Sequence, residues 1–214
     1  MTVSKNIAHI LANNHRWATQ SVREDAAYFE KNADGQSPKF MWIGCSDSRV
    51  SPPQICGLSP GDVFVFRNIA NLVYEDDLSL LAALRYGIEI LKVETVVVCG
   101  HYGCGGVHGA LSHSAPAELK QWLGQLTDLV GSDEGQKIID RCKSFKSPEA
   151  QRAFVELSTL TQVKRLEQLP VVKEAMRQNQ PLELEAMVYD IRDGCLHHLN
   201  AHKRDLPTSK AKIS

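Results

Sequence analysis

Two short stretches of the chain contain no polar position. Phe40-Met41-Trp42-Ile43 and Val96-Val97-Val98-Cys99 are continuous apolar runs, the pattern of strands buried on both faces of a sheet. They predict strands over 39–44 and 93–100. Val63-Phe64-Val65-Phe66 predicts another over 62–67. Elsewhere apolar residues recur three and four apart. Ile7, Ile10, Leu11, Trp17, Val22 and Phe29 predict a helix over 5–33, stopped by Asp34-Gly35-Gln36-Ser37-Pro38 with Gly35 as its C-cap. Leu78, Leu81, Leu84, Ile88 and Leu91 predict a helix over 76–91, capped by Asp76 or Asp77. Further helices are expected after Gly106 and over 116–130, 148–169 and 170–178, and a short one inside the proline-rich connection 51–61. Leu182 to Ile191 alternates like a strand, and Asp193-Gly194 turns it into a second over 195–199.

Strands separated by helical connections define an α/β fold with a central, mostly parallel β-sheet flanked by helices. An N-terminal helical arm (1–35) precedes it and a C-terminal strand hairpin closes it. No repeat or low-complexity linker divides the chain, so a single domain over 1–214 is expected, with 206–214 a disordered tail. An arm of this length ahead of the first strand is expected to pack on a partner subunit.

In parallel sheets, ligands bind beyond the carboxyl ends of the strands. The residues there are Cys45-Ser46-Asp47-Ser48-Arg49 after one apolar run and His101-Tyr102-Gly103-Cys104-Gly105-Gly106 after the other. Two thiols and an imidazole are a zinc-ligand set that leaves a fourth position. Asp47 has two possible partners. On the metal it closes the site. Held by Arg49 through paired charge-assisted hydrogen bonds, it leaves the position to water. Zinc brings the pKa of such a water to about 7, which points to hydration of a small electrophile or to hydrolysis. Other chemistries fit less well. A glycine-rich loop ahead of a helix can cradle phosphate, but neither G-x-x-x-x-G-K-[ST] nor G-x-G-x-x-G is present. A thiol with a histidine base is a nucleophilic pair, yet two thiols with one imidazole favour a metal. The H-x-E … P-C-x-x-C signature of zinc deaminases is absent.

Composition narrows the setting. The 214 residues carry a formal net charge of −1, which argues against a nucleic-acid partner, and the basic tail Lys203, Arg204, Lys210, Lys212 reads as a solvated end. No apolar run reaches the roughly 18 residues of a membrane span. The first residues lack the apolar core of a signal peptide, and Glu24 and Asp25 disfavour a transit peptide. Cys56, Cys99, Cys142 and Cys195 have no ligand-like neighbours and read as structural. Six cysteines outside a disulfide framework fit a cytoplasmic protein.

The two motifs resemble the signatures of the β-class carbonic anhydrases. Gly61 to Val73, with Arg67-Asn68-Ile69-Ala70-Asn71-Leu72, resembles a third block of that family, and the similarity runs from about residue 5 to residue 200. The resemblance implies zinc-dependent, reversible hydration of carbon dioxide to bicarbonate and a proton, by attack of zinc-bound hydroxide. One zinc per chain would be held by Cys45, His101 and Cys104, with Asp47 as a fourth ligand in a closed state and the Asp47–Arg49 dyad as catalytic in the open one. Gln36, Phe64, Ile69, Tyr86 and Gly105 match substrate-binding positions. Trp42, Arg67 and Tyr189 match a non-catalytic bicarbonate pocket found in the subgroup with Asp-coordinated zinc. The family implies a homodimer or a homotetramer built as a dimer of dimers. Departures are Ser51-Pro52-Pro53 after the first motif, Ser158 where an Asn is expected, and an early end after Leu199. Two alternatives stay open. One is a catalytically silent zinc-binding or bicarbonate-sensing protein, which would have no need of the Asp47–Arg49 pair. The other is a hydrolase of carbonyl sulfide or carbon disulfide on the same fold.

Overall fold

In the computed structural model, which describes residues 4–112 and 114–199, each apolar run is a strand lying slightly C-terminal to its prediction. β1 is Phe40–Cys45, β2 Val63–Asn68 and β3 Thr95–His101. The pairing continues into the motif residues: Cys45 lies opposite Asn68, and His101 opposite Tyr189. The first thiol and the imidazole therefore stand on the last residues of their strands. β4 (Glu183–Asp190) and β5 (Cys195–His198) form the predicted hairpin, with Asp190 opposite Cys195. The disorder expected over 206–214 lies outside the described residues.

The chain divides into two compact units, Met1–Ser37 and Pro38–Ser214. In the first, the helix expected over 5–33 is two helices, α1 (Lys5–Glu24) and α2 (Tyr28–Ala33). Asp25 causes the break. Its carboxylate accepts from Ala27 N–H (3.0 Å) and from Lys31 Nζ (2.6 Å), the local side-chain bonding that competes with a helix. Gly35 is not the C-cap; Asp34 is. Trp17, Tyr28 and Phe29 pack edge to face at centroid distances of 5.1–6.1 Å.

In the second unit the strand order is β2-β1-β3-β4-β5, with only the β4–β5 pair antiparallel. From β1 the chain crosses to β2 on one side and then to β3 on the other. The carboxyl ends of β1 and β3 flank this reversal, where diverging connections leave a crevice. Met41, Ile43, Val96, Val98 and Ala186 are buried on one face against Leu80, Leu84, Ile88, Val163, Leu166 and Val172. Those helical residues come from α4 (Leu78–Arg85) and the turn after it, α9 (Pro148–Gln168) and α10 (Pro170–Arg177). The opposite face carries a smaller cluster of Trp42, Val97 and Cys99. Among the described residues, its helical members are Ile55 and Cys56 of α3 (Pro52–Cys56).

Other boundaries depart from the periodicity. The helix expected over 76–91 begins at the N-cap Asp77, whose Oδ1 accepts from Ser79 and Leu80 N–H, and it widens into a π-turn over Tyr86–Ile90. α5 (Gly105–Ser112) starts one residue before Gly106. The helix expected over 116–130 is split at Leu123 into α6 (Ala117–Trp122) and α7 (Gly124–Gly131). α8 (Asp133–Cys142) was not predicted, because its apolar positions are few. Its start signal is nevertheless present: Ser132 Oγ accepts from Gly135 N–H, with Asp133 and Glu134 in the first turn. Where α9 crosses β3, Gly100 admits no side chain, since a Cβ there would lie 2.3 Å from Thr159 Oγ1. No helix among the described residues is long and apolar enough to cross a membrane.

Candidate metal centre

The switch between β1 and β3 brings Cys45, His101 and Cys104 together. One ligand atom from each lies within 4.8 Å of the others, and all three residues are buried. The two Sγ atoms are 4.0 Å apart, close to the roughly 3.8 Å that two thiolates span on a tetrahedral zinc with bonds of about 2.3 Å. His101 Nε2 is buried without a hydrogen-bond partner among the described residues. Its other nitrogen, Nδ1, lies 3.2 Å from the carbonyl oxygen of Tyr102. A carbonyl only accepts, so Nδ1 carries the proton and Nε2 presents its lone pair to the thiols. An orphaned imidazole nitrogen facing two sulfurs is the donor set of a zinc site, and these residues fit that ion.

The local backbone explains how the thiols tolerate burial. Asn68 clamps the turn after β2: its side chain donates to Leu72 O and accepts from Leu72 N–H, each at 2.8 Å. The turn holds Ala70 and Asn71 at φ +66° and +50°, a conformation disfavoured for a side-chain-bearing residue. Ala70 N–H thereby points at Cys45, as does Asp47 N–H. Gly106 and Val107, in the first turn of α5, aim their N–H groups at Cys104. The two sulfurs share one proton. Donation from Cys104 pulls the Cys45 thiol far below its usual range, and the two amides assist. Cys104, which donates to that thiolate and is itself buried, is pushed well up.

Asp47 lies beside this centre, on Arg49. Arg49 Nε and Nη2 donate to its two carboxylate oxygens at 2.9 and 2.7 Å, and Arg49 N–H adds a bond of 3.0 Å. The guanidinium holds Asp47 well below the ordinary carboxylate range. Asp47 Oδ2 is 3.8 Å from His101 Nε2, but the carboxylate is not among the three clustered ligands. Arg67 fixes the backbone of the same turn, donating from Nε to Cys45 O (2.9 Å) and from Nη2 to Asp47 O (2.7 Å). It lies opposite Gly44, which has no side chain of its own.

The remaining predicted residues fall in separate places. Phe64 and Tyr86 are neighbours, with centroids 5.7 Å apart. Tyr86 owes its position to the π-turn it opens. Ile69 is two-fifths exposed, and Gly105 has open space where a Cβ would stand. Gln36 belongs to the first unit and is exposed there. Trp42 and Tyr189 share the cluster on the sparsely covered face of the sheet, and Trp42 Nε1 is buried without a partner among the described residues. Two clefts, of about 540 and 320 Å³, contain none of the predicted site residues. Several supporting residues escaped sequence reasoning. The part played by Asn68 follows only from its turn, and Gln162, which accepts from Val73 N–H across 89 residues, has no local signal.

The sequence profile of the carbonic anhydrase family matches residues 40–196. A carbonic anhydrase of Emericella nidulans is 37% identical over 191 residues, covering 89% of this chain and 82% of that protein. A structure described as one of two tetrameric β-carbonic anhydrases from Sordaria macrospora superposes with a TM-score of 0.85 at 34% identity, covering 92% and 98% of the two chains. A β-carbonic anhydrase of Aspergillus fumigatus gives 0.84 at 38% identity, covering 92% of each chain. The chain belongs to the carbonic anhydrase family, in its β class. It is an enzyme, and its Cys-His-Cys cluster is the place for one zinc ion.

Proposed function

We propose that the chain hydrates carbon dioxide reversibly to bicarbonate and a proton, with zinc on Cys45, His101 and Cys104. One observation carries the reading. Two thiols and an orphaned imidazole nitrogen converge beside a carboxylate already fixed by an arginine. Bound there, zinc supplies the Lewis acidity that makes water ionise near neutral pH. The protein groups do the rest. Asp47, kept ionised by Arg49, only accepts hydrogen bonds, so it orients a hydroxyl beside it with the lone pair turned away. Arg49 also withholds Asp47 from the metal; at 3.8 Å from Nε2, an unrestrained Asp47 would take the fourth position. Ile69, which lies against Gly106, offers apolar surface beside the first turn of α5, as suits an apolar, linear substrate; Phe64 and Tyr86 pack on each other apart from it. Stopped-flow assays of the zinc-replete protein with carbon dioxide, carbonyl sulfide and carbon disulfide test this. Turnover of carbon dioxide far above the other two is expected. Absence of hydration would favour a silent sensor, and preference for a sulfur substrate a hydrolase.

The Trp42 indole N–H, buried without a partner among the described residues, favours a second role for the outer face. Trp42 Nε1 lies 2.5 Å from where a Gly44 Cβ would stand, and Arg67 is opposite Gly44. We infer that a bicarbonate ion bound by Trp42, Arg67 and Tyr189 biases Asp47 through its carbonyl, which Arg67 holds. Trp42→Phe keeps an aromatic ring and removes the indole N–H. It should relieve bicarbonate inhibition, and unchanged inhibition would remove the idea.

The tetrameric relatives from Sordaria macrospora, together with exposed Val65 on edge strand β2, Ile69, Leu78 and Ile90, support a homodimer or a dimer of dimers. A single-chain mass by light scattering would contradict it. The six free cysteines support a reducing, cytosolic setting, which fractionation of the source cells tests.

A further inference from the structure

Only one large side chain stands between the ligands His101 and Cys104. It is Tyr102, since Gly103 holds the turn at φ +74°. Tyr102 is nine-tenths buried and gripped at both ends. Its hydroxyl donates to Glu156 at 2.6 Å, and the Arg152 guanidinium lies 3.5 Å from the centre of its ring. Arg152 and Glu156 are four residues apart on α9, hence on one face of that helix. Arg152 is itself fixed, donating from Nη1 to Asp190 Oδ2 at 2.8 Å, while Asp190 Oδ1 accepts from Arg192 N–H at 3.0 Å. Asp190 closes β4 directly after Tyr189, whose carbonyl accepts from Tyr102 N–H at 3.0 Å. The contacts form a ring: Tyr102 to the end of β4, to Arg152, and back to Tyr102, with Glu156 as a second tie.

The Tyr102 carbonyl is the acceptor for His101 Nδ1–H. Whatever fixes the Tyr102 peptide therefore fixes the imidazole tautomer and the direction of Nε2, and partners of this kind tune metal affinity by about 10–100-fold. We propose that Arg152, anchored by Asp190, and Glu156 are positioning residues for the metal. They clamp Tyr102 so that its carbonyl holds His101 in the ligating tautomer. None of them touches the ligand atoms or the substrate approach. Arg152 acts mainly through the ring face, because a guanidinium stacks where an ammonium only points.

The proposal rests on the zinc reading above, and its test separates the two. Zinc-loaded native protein, Arg152→Ala, Arg152→Lys and Tyr102→Phe are mixed with excess pyridine-2,6-dicarboxylate and zinc release is timed. Cobalt-substituted samples are compared by their ligand-field and thiolate charge-transfer bands. Arg152→Ala should release zinc at least about tenfold faster with shifted ligand-field bands, and Arg152→Lys should fall between it and the native protein. Arg192→Ala, which removes an exposed charge next to the anchor, should leave both readouts native. A folded Arg152→Ala with release within twofold of native and an unchanged cobalt spectrum would overturn the proposal. If Arg152→Ala fails to fold, Arg152→Lys decides, since it keeps the charge and loses the stacking on the ring face. Release several-fold faster supports the clamp, and native release contradicts it. A native protein that binds no zinc would sink the underlying reading too, whereas firm zinc with indifferent variants sinks only the clamp.

Discussion

Cys45 and Cys104 are the same residue type, 4.0 Å apart, yet their surroundings separate them. Cys45 receives N–H groups from Asp47 and Ala70 and a hydrogen bond from Cys104, so it is the thiolate, and Cys104 keeps the shared proton. Ligation requires both thiols deprotonated. With Cys45 already ionised, only Cys104 has a proton to release. Lowering the pH should therefore weaken zinc binding by about one log unit per pH unit between roughly 7 and 8, where the thiols alone set the proton count. Two independent thiols of ordinary pKa would give a slope of two, and competition titrations at several pH values distinguish the cases. Ser158 is a second residue whose neighbours decide its role. Its hydroxyl is buried without a partner among the described residues. Ser158→Ala should be neutral, or stabilising by up to about 1 kcal/mol, in chemical denaturation. A clear loss of stability would mean the hydroxyl is satisfied.

At the scale of elements, α9 does more than cover the sheet. Its Thr159 and Val155 press on β3 at Gly100, and its Arg152 and Glu156 grip the next loop. Gly100→Val places bulk against that helix one residue before a zinc ligand. It should destabilise the apoprotein by about 1–3 kcal/mol and weaken zinc binding as well. An unchanged melting temperature would show that α9 yields there. The strands were legible because both faces of β1 and β3 are buried, which leaves unbroken apolar runs. Helix ends were less legible. Asp25 breaks the first helix by bonding its own neighbourhood, the π-turn at Tyr86 keeps the apolar rhythm while changing the geometry, and α8 is marked by its cap rather than by an apolar stripe.

For the whole molecule, function follows from one topological fact. Strand order 2-1-3 places the carboxyl ends of β1 and β3 side by side, so two motifs more than fifty residues apart form one centre. The residue types at the two strand ends supplied the ligand set, and the resemblance supplied the reaction. The supporting contacts were not legible, since Gln162 to Val73, Arg67 to Cys45 O and Arg152 to Tyr102 are each long-range and depend on register. The account turns on Arg49 keeping Asp47 off the metal. The most direct test is carbon dioxide hydration by Arg49→Ala whose zinc content has been measured on the same sample. One zinc per chain with turnover lowered by on the order of a hundredfold is the predicted result. A zinc-replete Arg49→Ala that hydrates carbon dioxide at the native rate would contradict it.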